Sequence, residues 1–357
     1  MAEPLIEIKD LRVEFNVREG IVRAVDGLNL TINRGETVGV IGESGCGKSV
    51  TARAILNMVP KPGKSRGEIL YHRSRGNGNI DVVDLIKTDP DGETIRQIRG
   101  GEIGMIFQEP MSSLTPVYTT GTLINEAVSL HRLNPVRKVG TQIIENVQAH
   151  HKLSHEEART VAVEMLRKVG IPKPEQRVDS YPHQLSGGQR QRVMIAIALS
   201  CEPAMLIADE PTTALDVSIE AQILDIMREL QESANMAIMF ITHNLGVVAS
   251  MAHEIVVMYM GRAVERAKVE DLFYNPKHPY TQSLLKSIPK LGKKKDGERL
   301  ASISGSVPSP FNLPTGCVFH PRCPDFMPGK CDKIVPKWTM VGEEHWANCL
   351  LYEEAGK

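Results

Sequence analysis

Hydrophobic and polar residues alternate in the first third of the chain. Between residue 5 and about residue 110 the runs are short, and Leu28, Leu30 and Ile32 alternate with polar neighbours before the turn sequence at 33–36. This is the pattern of β-strands that bury one face. The apolar-leaning run at residues 37–41 is uninterrupted, and we predict a buried strand there.

A glycine-rich stretch separates that strand from a helical pattern at residues 49–58, which ends before Pro60 and Pro62. Because proline lacks a backbone N–H and clashes with the preceding turn, these two residues end the helix. The predicted order of elements is therefore strand, loop and helix.

Helical spacing dominates from about residue 119 to 185. Ser154, with Glu157 three residues later, predicts a capping box at the start of a helix. Apolar residues form two stripes with helical spacing, one at Ile143, Ile144 and Val147, the other at Val161, Ala162, Met165, Leu166 and Val169. We interpret this region as a helical insert within a larger domain.

Helices and strands alternate after this insert. The patterns predict helices at 187–200 and 217–233 and strands at 204–208 and 237–242, and such alternation is typical of a parallel sheet. Beyond about residue 280 the sequence is rich in proline, glycine and lysine, and residues 293–295 indicate a solvated linker. We predict an α/β domain over residues 1–280 and a C-terminal extension over residues 281–357.

Composition narrows the range of partners. The chain has 357 residues, of which 41% are hydrophobic, and this suffices for large cores. Its formal net charge of -1 gives no general attraction to nucleic acid, so we predict no such partner. The first residues lack the features of a signal peptide, and no apolar run approaches the roughly 20 residues that span a bilayer. We expect a cytoplasmic protein that contacts membranes only through a partner.

The glycine-rich stretch carries the first candidate chemistry. In a P-loop, backbone N–H groups and a helix N-terminus bind phosphates, so Lys48 would contact the β- and γ-phosphates and Ser49 would bind Mg²⁺. The residues that match this motif or directly follow it are Gly42, Glu43, Ser44, Gly45, Cys46, Gly47, Lys48, Ser49 and Val50. The sequence therefore predicts a MgATP site.

Two adjacent carboxylates follow the apolar run at 204–208. Asp209 and Glu210 would lie at the carboxyl end of a parallel strand, where α/β folds bind their ligands. We predict that Asp209 belongs to the magnesium shell. Glu210 would orient the attacking water and accept its proton, a contribution of roughly 10²–10⁴ in rate.

A second polar, glycine-rich helix start lies at residues 185–192. Ser186, Gly187, Gly188 and Gln189 offer another site of the kind that binds phosphate at a helix N-terminus. Because one nucleotide does not need two such loops from one molecule, we interpret this site as serving the nucleotide of a partner molecule.

This octet resembles the signature of the ABC ATPases, and other motifs follow in that family's order between residues 5 and 280. Gln108 resembles the Q-loop glutamine, which contacts magnesium and water, and Asp216 resembles the D-loop aspartate. His243 resembles the switch histidine that contacts the γ-phosphate, and Phe15 stands where the family has an aromatic residue that stacks on adenine.

The resemblance implies an ABC-type P-loop NTPase core with an antiparallel β-subdomain and an inserted helical subdomain. It also implies a head-to-tail dimer, in which each ATP lies between the P-loop of one chain and the signature of the other. Lys48, Gln108, Glu210 and His243 would then be the catalytic residues. All of them are present, so a non-hydrolysing regulatory subunit is disfavoured.

Four of the six cysteines are close together near the C-terminus, at Cys317, Cys323, Cys331 and Cys349. In a reducing compartment such a cluster indicates a metal before disulfides. The spacing matches neither a ferredoxin nor a zinc ribbon, so zinc, disulfides and free thiols stay open, and His320 is a further possible ligand. Four cysteine ligands suit a [4Fe–4S] cluster, which we favour.

The C-terminal region resembles the peptide branch of ABC importers, and this resemblance also favours the cluster. It implies uptake of dipeptides, oligopeptides or nickel by a complex at the cytoplasmic face of the cell membrane. The implied partners are a second, homologous ATPase subunit, two transmembrane permeases and an extracytoplasmic peptide-binding protein, with a homodimer possible in isolation. The alternatives are an importer for another small solute and a soluble ABC ATPase, which the single cassette without heptads disfavours.

Overall fold

The computed structural model describes residues 3–74, 79–107, 133–212, 216–287 and 303–353. The strands in these ranges are β1 (Pro4–Val17), β2 (Gly20–Asn33), β3 (Thr37–Ile41), β4 (Gly63–Ser74), β5 (Ile80–Asp84), β6 (Ile103–Ile106), β7 (Met205–Asp209), β8 (Ala237–Ile241), β9 (Glu254–Tyr259), β10 (Arg262–Lys268), β11 (Trp338–Gly342) and β12 (His345–Asn348). Where the sequence predicted short strands, β1 and β2 each run for 14 residues.

The α-helices in the same ranges are α1 (Lys48–Ile55), α2 (Glu93–Gln97), α3 (Val139–His150), α4 (His155–Lys168), α5 (Pro174–Arg177), α6 (Gly187–Leu199), α7 (Val217–Ala234), α8 (Leu245–Met251), α9 (Val269–Tyr274) and α10 (Pro279–Lys286). The helix predicted at 49–58 is α1, which begins one residue earlier and ends at Ile55. None of these helices, taken over the described residues, combines the length and apolar composition needed to cross a membrane.

The chain divides into two units. Unit 1 comprises Met1–Ile6, Thr31–Thr37 and Tyr71–Thr242, and unit 2 comprises Glu7–Leu30, Val38–Leu70 and His243–Lys357. The predicted boundary between residues 280 and 281 and the limits of the helical insert stay predictions.

Unit 1 contains the parallel strands β6, β7 and β8. Met105 pairs with Ile207, and Asp209 at the end of β7 pairs with Ile241. Every residue of these strands is buried. A strand covered on both faces needs apolar residues throughout, which explains why these segments are continuous apolar runs. The predicted parallel pairing of the strands at 204–208 and 237–242 is confirmed.

The helices α3 and α4 of unit 1 contact each other, and both contact α6. Ser154 begins α4 with the predicted capping box: its Oγ accepts from the N–H of Glu157 at 3.3 Å, and its own N–H donates to the Glu157 carboxylate at 2.8 Å. Each bond satisfies a backbone donor that a helix start would otherwise leave unpaired. The first part of the predicted insert, up to residue 132, lies outside the described residues.

Unit 2 contains β3, which runs parallel to β9 with Ile41 opposite Val257. A tight turn through Met260 and Gly261, with φ of 47° and 79°, reverses the chain into antiparallel β10. The C-terminal strands continue this sheet, because β12 pairs with β10 and β11 pairs with β12. The sequence did not predict that β11 and β12 would extend the sheet that contains β3.

The core of unit 2 joins this sheet to the cysteine-containing segment. Phe319 packs edge-on against Tyr259 at a centroid distance of 5.2 Å and against Tyr280 at 5.3 Å. Cys317 and Cys331 belong to the same buried cluster. Residues 303–353 are therefore an integral part of unit 2 rather than a tail on its surface.

Candidate active site

The glycine-rich loop lies between β3 and α1 in unit 2, as predicted. Gly42 and Gly47 have φ of 149° and 105°, backbone conformations that side chains rarely tolerate. A Cβ on Gly42 would lie 2.2 Å from the carbonyl oxygen of Met258, and one on Gly47 would lie 2.3 Å from that of Ala24. Backbone carbonyl groups lie so close to these two positions that only glycine fits.

Lys48 lies at the start of α1 with only 8% of its surface exposed. Its Nζ donates to the carbonyl oxygens of Gly42 at 2.7 Å and Glu43 at 3.1 Å. The ammonium therefore lies inside the curl of the loop, beside the first residues of the motif. Such a position brings the positive charge to phosphate groups bound by the loop's N–H groups.

The second residue of the motif, Glu43, has partners that sequence reasoning missed. Its N–H donates to the hydroxyl of Tyr280 at 2.9 Å, and its carboxylate accepts two bonds from Arg322 at 2.7 and 3.1 Å. Arg322 precedes Cys323 in the C-terminal segment. Nothing in the sequence connects this arginine to the loop, because its burial and its partner are set by the fold.

The acidic pair lies in unit 1 at the end of β7. Asp209 is the last residue of the strand and is buried. Glu210 has a left-handed φ of 50°, and its N–H donates to the carbonyl oxygen of Ile241 at 2.8 Å. Asp209 is thus the last residue of the strand, and Glu210 begins the turn that follows it.

The signature octet also lies in unit 1 and begins α6. Ser186 is the N-cap: its Oγ accepts from the N–H of Gln189 at 3.3 Å, and its N–H donates to the Gln189 side chain at 3.2 Å. Ser186 and Gly187 are exposed, and a Cβ on Gly187 would meet no atom within 4 Å. The start of α6 is therefore an open helix N-terminus of the kind that binds anions.

Further along α6, the side chain of Gln191 donates a short hydrogen bond to the carbonyl oxygen of Pro211. Pro211 directly follows Glu210. The buried amide of Gln191 thus joins the signature helix to the turn that carries the candidate general base, within one unit. Gln191 lies within the octet at residues 185–192, but no role was predicted for it.

The remaining candidates differ in their settings. His243 is exposed in unit 2, just before Asn244, whose side chain caps α8. Asp216 is the N-cap residue of α7. Phe15 is half-buried near the end of β1, in the same unit as the P-loop, and its ring lies against Gly63. Gln108 lies outside the described residues.

The four C-terminal cysteines are free thiols, and Cys317, Cys331 and Cys349 are buried. Burial raises the pKa of Cys317, that of Cys323 to about 11 and that of Cys349 to about 12, and repulsion from the other cysteines adds to each rise. The side chains are thus close enough to influence one another's charge. Over the described residues, no group of three or more His, Cys, Asp or Glu side chains is arranged around a metal position.

Comparison with known proteins identifies the class of protein to which this fold and site belong. Residues 25–213 match the family described as ABC transporter, and residues 264–331 match the family described as the C-terminal region of oligopeptide/dipeptide transporters. The chain is 46% identical over 354 residues to the oligopeptide transport ATP-binding protein AppD of Bacillus subtilis, covering 99% of this chain and 98% of AppD. It is 43% identical to OppD of the same organism, covering 99% and 90%.

The solved structures that it resembles agree with this assignment. A dimeric bacterial ABC transporter cassette superposes with a TM-score of 0.60 at 27% identity and covers 74% of this chain and 98% of the cassette. A post-hydrolysis state of the same cassette, bound to ADP and Pi, superposes with the same TM-score at 26% identity. The chain belongs to the ABC transporter family.

Several predictions from sequence are thereby confirmed. The fold is the mixed α/β fold of the ABC cassette, and the chain is an ATPase that binds ATP through this cassette. The matches say nothing of a metal at the four cysteines, and the roles of single residues stay predictions.

Proposed function

We propose that this ATPase drives the uptake of dipeptides or oligopeptides through a membrane ABC importer. The observation that carries the proposal is the match of residues 264–331 to the C-terminal region of oligopeptide/dipeptide transporters. These residues include most of β10, all of α9 and α10, and the first three clustered cysteines. Full-length similarity to peptide transport ATP-binding proteins supports the same substrate class.

The residues of the P-loop bind the triphosphate in this proposal. Lys48 and the N–H groups of the P-loop, except that of Glu43, which is bonded to Tyr280, hold the phosphates, and Phe15 stacks on the adenine. Ser49 and Asp209, with Gln108, supply oxygen ligands of the kind that Mg²⁺ prefers. When bound, the ion neutralises charge on the phosphates.

Hydrolysis requires a group that accepts a proton from the attacking water. Glu210 takes this proton as the water oxygen forms its bond to the γ-phosphorus and the bond to the β–γ bridging oxygen breaks. His243 contacts the γ-phosphate and Gln108 orients the water. The products are ADP and inorganic phosphate, with the proton passing from Glu210 to solvent.

The open start of α6 supports a dimeric arrangement. Ser186, Gly187, Gly188 and Gln189 bind the γ-phosphate held by the P-loop of a second, homologous ATPase subunit, and Asp216 lies at the same interface. ATP binding closes this head-to-tail dimer and hydrolysis reopens it. In the importer, two permeases and an extracytoplasmic peptide-binding protein complete the assembly, which places this chain at the cytoplasmic face of the membrane.

The four cysteines form the site of a [4Fe–4S] cluster in this proposal, with zinc as the alternative. The support is the donor set, because one segment contains four free thiols that influence one another electrostatically. Four cysteine ligands suit a cluster. The resemblance of the C-terminal region to the peptide branch of ABC importers favours the same interpretation. Metal ligation by cysteine requires the thiolate, so binding would release protons. Iron and acid-labile sulfide in anaerobically purified protein would support the cluster, and one equivalent of zinc without sulfide would replace it.

The transport proposal is tested by reconstitution. The chain is purified with its partner ATPase subunit, the permeases and the binding protein, placed in proteoliposomes with ATP, and supplied with labelled dipeptides, oligopeptides or Ni²⁺. We expect ATP-dependent peptide accumulation that the Lys48→Ala variant abolishes. Accumulation of nickel without peptide would transfer the assignment to a metal importer, and ATP hydrolysis without any uptake would favour a soluble ATPase.

A further inference from the structure

Arg322 connects the C-terminal segment to the nucleotide loop. Its side chain is only 4% exposed, and it forms a two-pronged ion pair with Glu43, whose side chain is 26% exposed. Paired N–H···O bonds between a guanidinium and a carboxylate fix both groups in one plane. The two residues lie 279 positions apart in the sequence, so the contact is a product of the fold of unit 2.

The guanidinium is held from several sides. Its Nε donates to the carbonyl oxygen of Ser304 at 3.2 Å, its Nη1 also donates to the hydroxyl of Tyr259 at 3.3 Å, and its carbon lies 5.9 Å from the centre of the Tyr259 ring. Contact with the Glu43 carboxylate raises the pKa of Arg322 further above its ordinary range. These contacts fix the position of the guanidinium, which makes Arg322 a fixed counter-ion to Glu43.

Glu43 is an unfavourable residue for a loop that binds a triphosphate. A carboxylate beside the loop's N–H groups repels the anionic phosphates, and in a partly desolvated site that repulsion is weakly screened. The same residue is bound through its backbone, since its N–H donates to Tyr280 and its carbonyl oxygen accepts from Lys48. Glu43 therefore influences the shape of the phosphate site through its backbone bonds and the charge of the site through its carboxylate.

We propose that Arg322 is a positioning residue of the nucleotide site, which fixes the Glu43 carboxylate and cancels its charge, so that the P-loop does not repel MgATP. Through Arg322, the C-terminal segment thereby contributes to the nucleotide site. This inference rests on ATP binding and is independent of the transported substrate.

The test measures the dissociation constants of MgADP and a non-hydrolysable ATP analogue for the purified full chain. We expect Arg322→Gln, which leaves the Glu43 carboxylate uncompensated, to weaken both about tenfold, which corresponds to about 1.4 kcal/mol. The double variant Glu43→Gln with Arg322→Gln removes both charges, and its affinity is expected to return to within about threefold of the parent. Arg167→Gln, which breaks an exposed ion pair with Glu175, is the matched control and leaves affinity unchanged.

The two variants separate charge compensation from mere packing. If Arg322 only filled space, the double variant would bind nucleotide at least as weakly as Arg322→Gln, and this result would overturn the proposal. Unchanged affinity in Arg322→Gln would overturn it as well. Should Arg322→Gln fail to fold, Glu43→Gln is measured alone: it removes the carboxylate, we expect its affinity to equal or exceed that of the parent, and a loss above about tenfold would overturn the proposal.

Discussion

His345 and Glu265 form a buried pair that joins the last strand of the chain to the sheet of unit 2. Nε2 of His345 lies 2.7 Å from Oε1 of Glu265, and the two side chains are 2% and 0% exposed. Glu265 also accepts from the N–H groups of Lys277 at 2.6 Å and His278 at 2.9 Å. The carboxylate of Glu265 on β10 therefore bonds both to His345 on β12 and to two N–H groups of the loop before α10.

Replacing Glu265 by alanine should cost about 3–5 kcal/mol of unfolding free energy, because its buried donors would lose their acceptor. Glu344→Ala is the control, since Glu344 pairs with Lys268 at a site where both side chains are more than half exposed, and its loss should change the stability little. Urea unfolding of both variants measures the difference. Equal stability of the two would show that the buried pair does not secure the C-terminal strands.

Two serine capping boxes of unit 1 allow the structural and functional roles of Ser186 to be separated. Ser154 and Ser186 make the same pair of cap bonds, to Glu157 and Gln189 respectively. Each serine-to-alanine variant should lose about 1 kcal/mol of stability. Only Ser186→Ala should also reduce ATP hydrolysis, by about 10–100-fold, because it removes a bond to a charged phosphate across the dimer.

Phosphate release by each variant, assayed with the partner subunit present, checks this expectation. Ser154→Ala corrects for any loss of activity that follows from stability alone. If both variants hydrolysed ATP at the parental rate, the start of α6 would not be a phosphate site, and the head-to-tail arrangement would lose its support.

The parts of the fold that the sequence predicted are those that local patterns specify. A strand buried on both faces must be apolar at every position, so β3, β7 and β8 were visible as continuous runs. A capping box depends on two residues three positions apart, and Ser154 with Glu157 could be identified without any tertiary information. The P-loop is similarly contained within one strand, one turn and one helix.

The missed features depend on residues that are distant in sequence. The pairing of β12 with β10 and the contact of Arg322 with Glu43 leave no periodic trace, because each residue involved only meets its partner once the chain has folded. β1 and β2 were predicted as short runs, since polar residues on their open faces interrupt the apolar pattern. Gln191 was also missed, because a buried glutamine resembles a surface one in sequence.

Protonation of His278 should lower the free energy of unfolding in acid. Burial lowers the pKa of His278 to about 4, from a value of 6.5 for an exposed histidine. The unfolded chain therefore binds a proton between these values that the folded chain does not, so the stability supplied by this group falls as pH decreases from 6.5 towards 4. The loss over this window should be about 2–3 kcal/mol.

His278→Asn tests this assignment. Nδ1 of His278 accepts from the N–H of Tyr280 at 3.1 Å and caps α10, and asparagine can provide the same acceptor without titrating. Thermal unfolding from pH 7 to pH 4 should show a flatter acid limb in the variant. A variant with the parental pH dependence would assign the acid sensitivity to other groups.

Glu210→Gln separates nucleotide binding from hydrolysis. The amide has nearly the same size as the carboxylate and leaves the N–H bond to Ile241 in place, but it cannot accept the proton of the attacking water. We expect hydrolysis to fall by roughly 10²–10⁴ while the affinity for MgATP stays within about threefold. The variant should accumulate as a closed dimer with ATP, detectable by size-exclusion chromatography with the partner subunit.

Glu232→Gln on the exposed surface of α7 is the matched control, and it should hydrolyse ATP and dissociate as the parent does. If Glu210→Gln hydrolysed ATP at the parental rate, the base would have to be sought elsewhere, since a carboxamide cannot substitute for a carboxylate in this step.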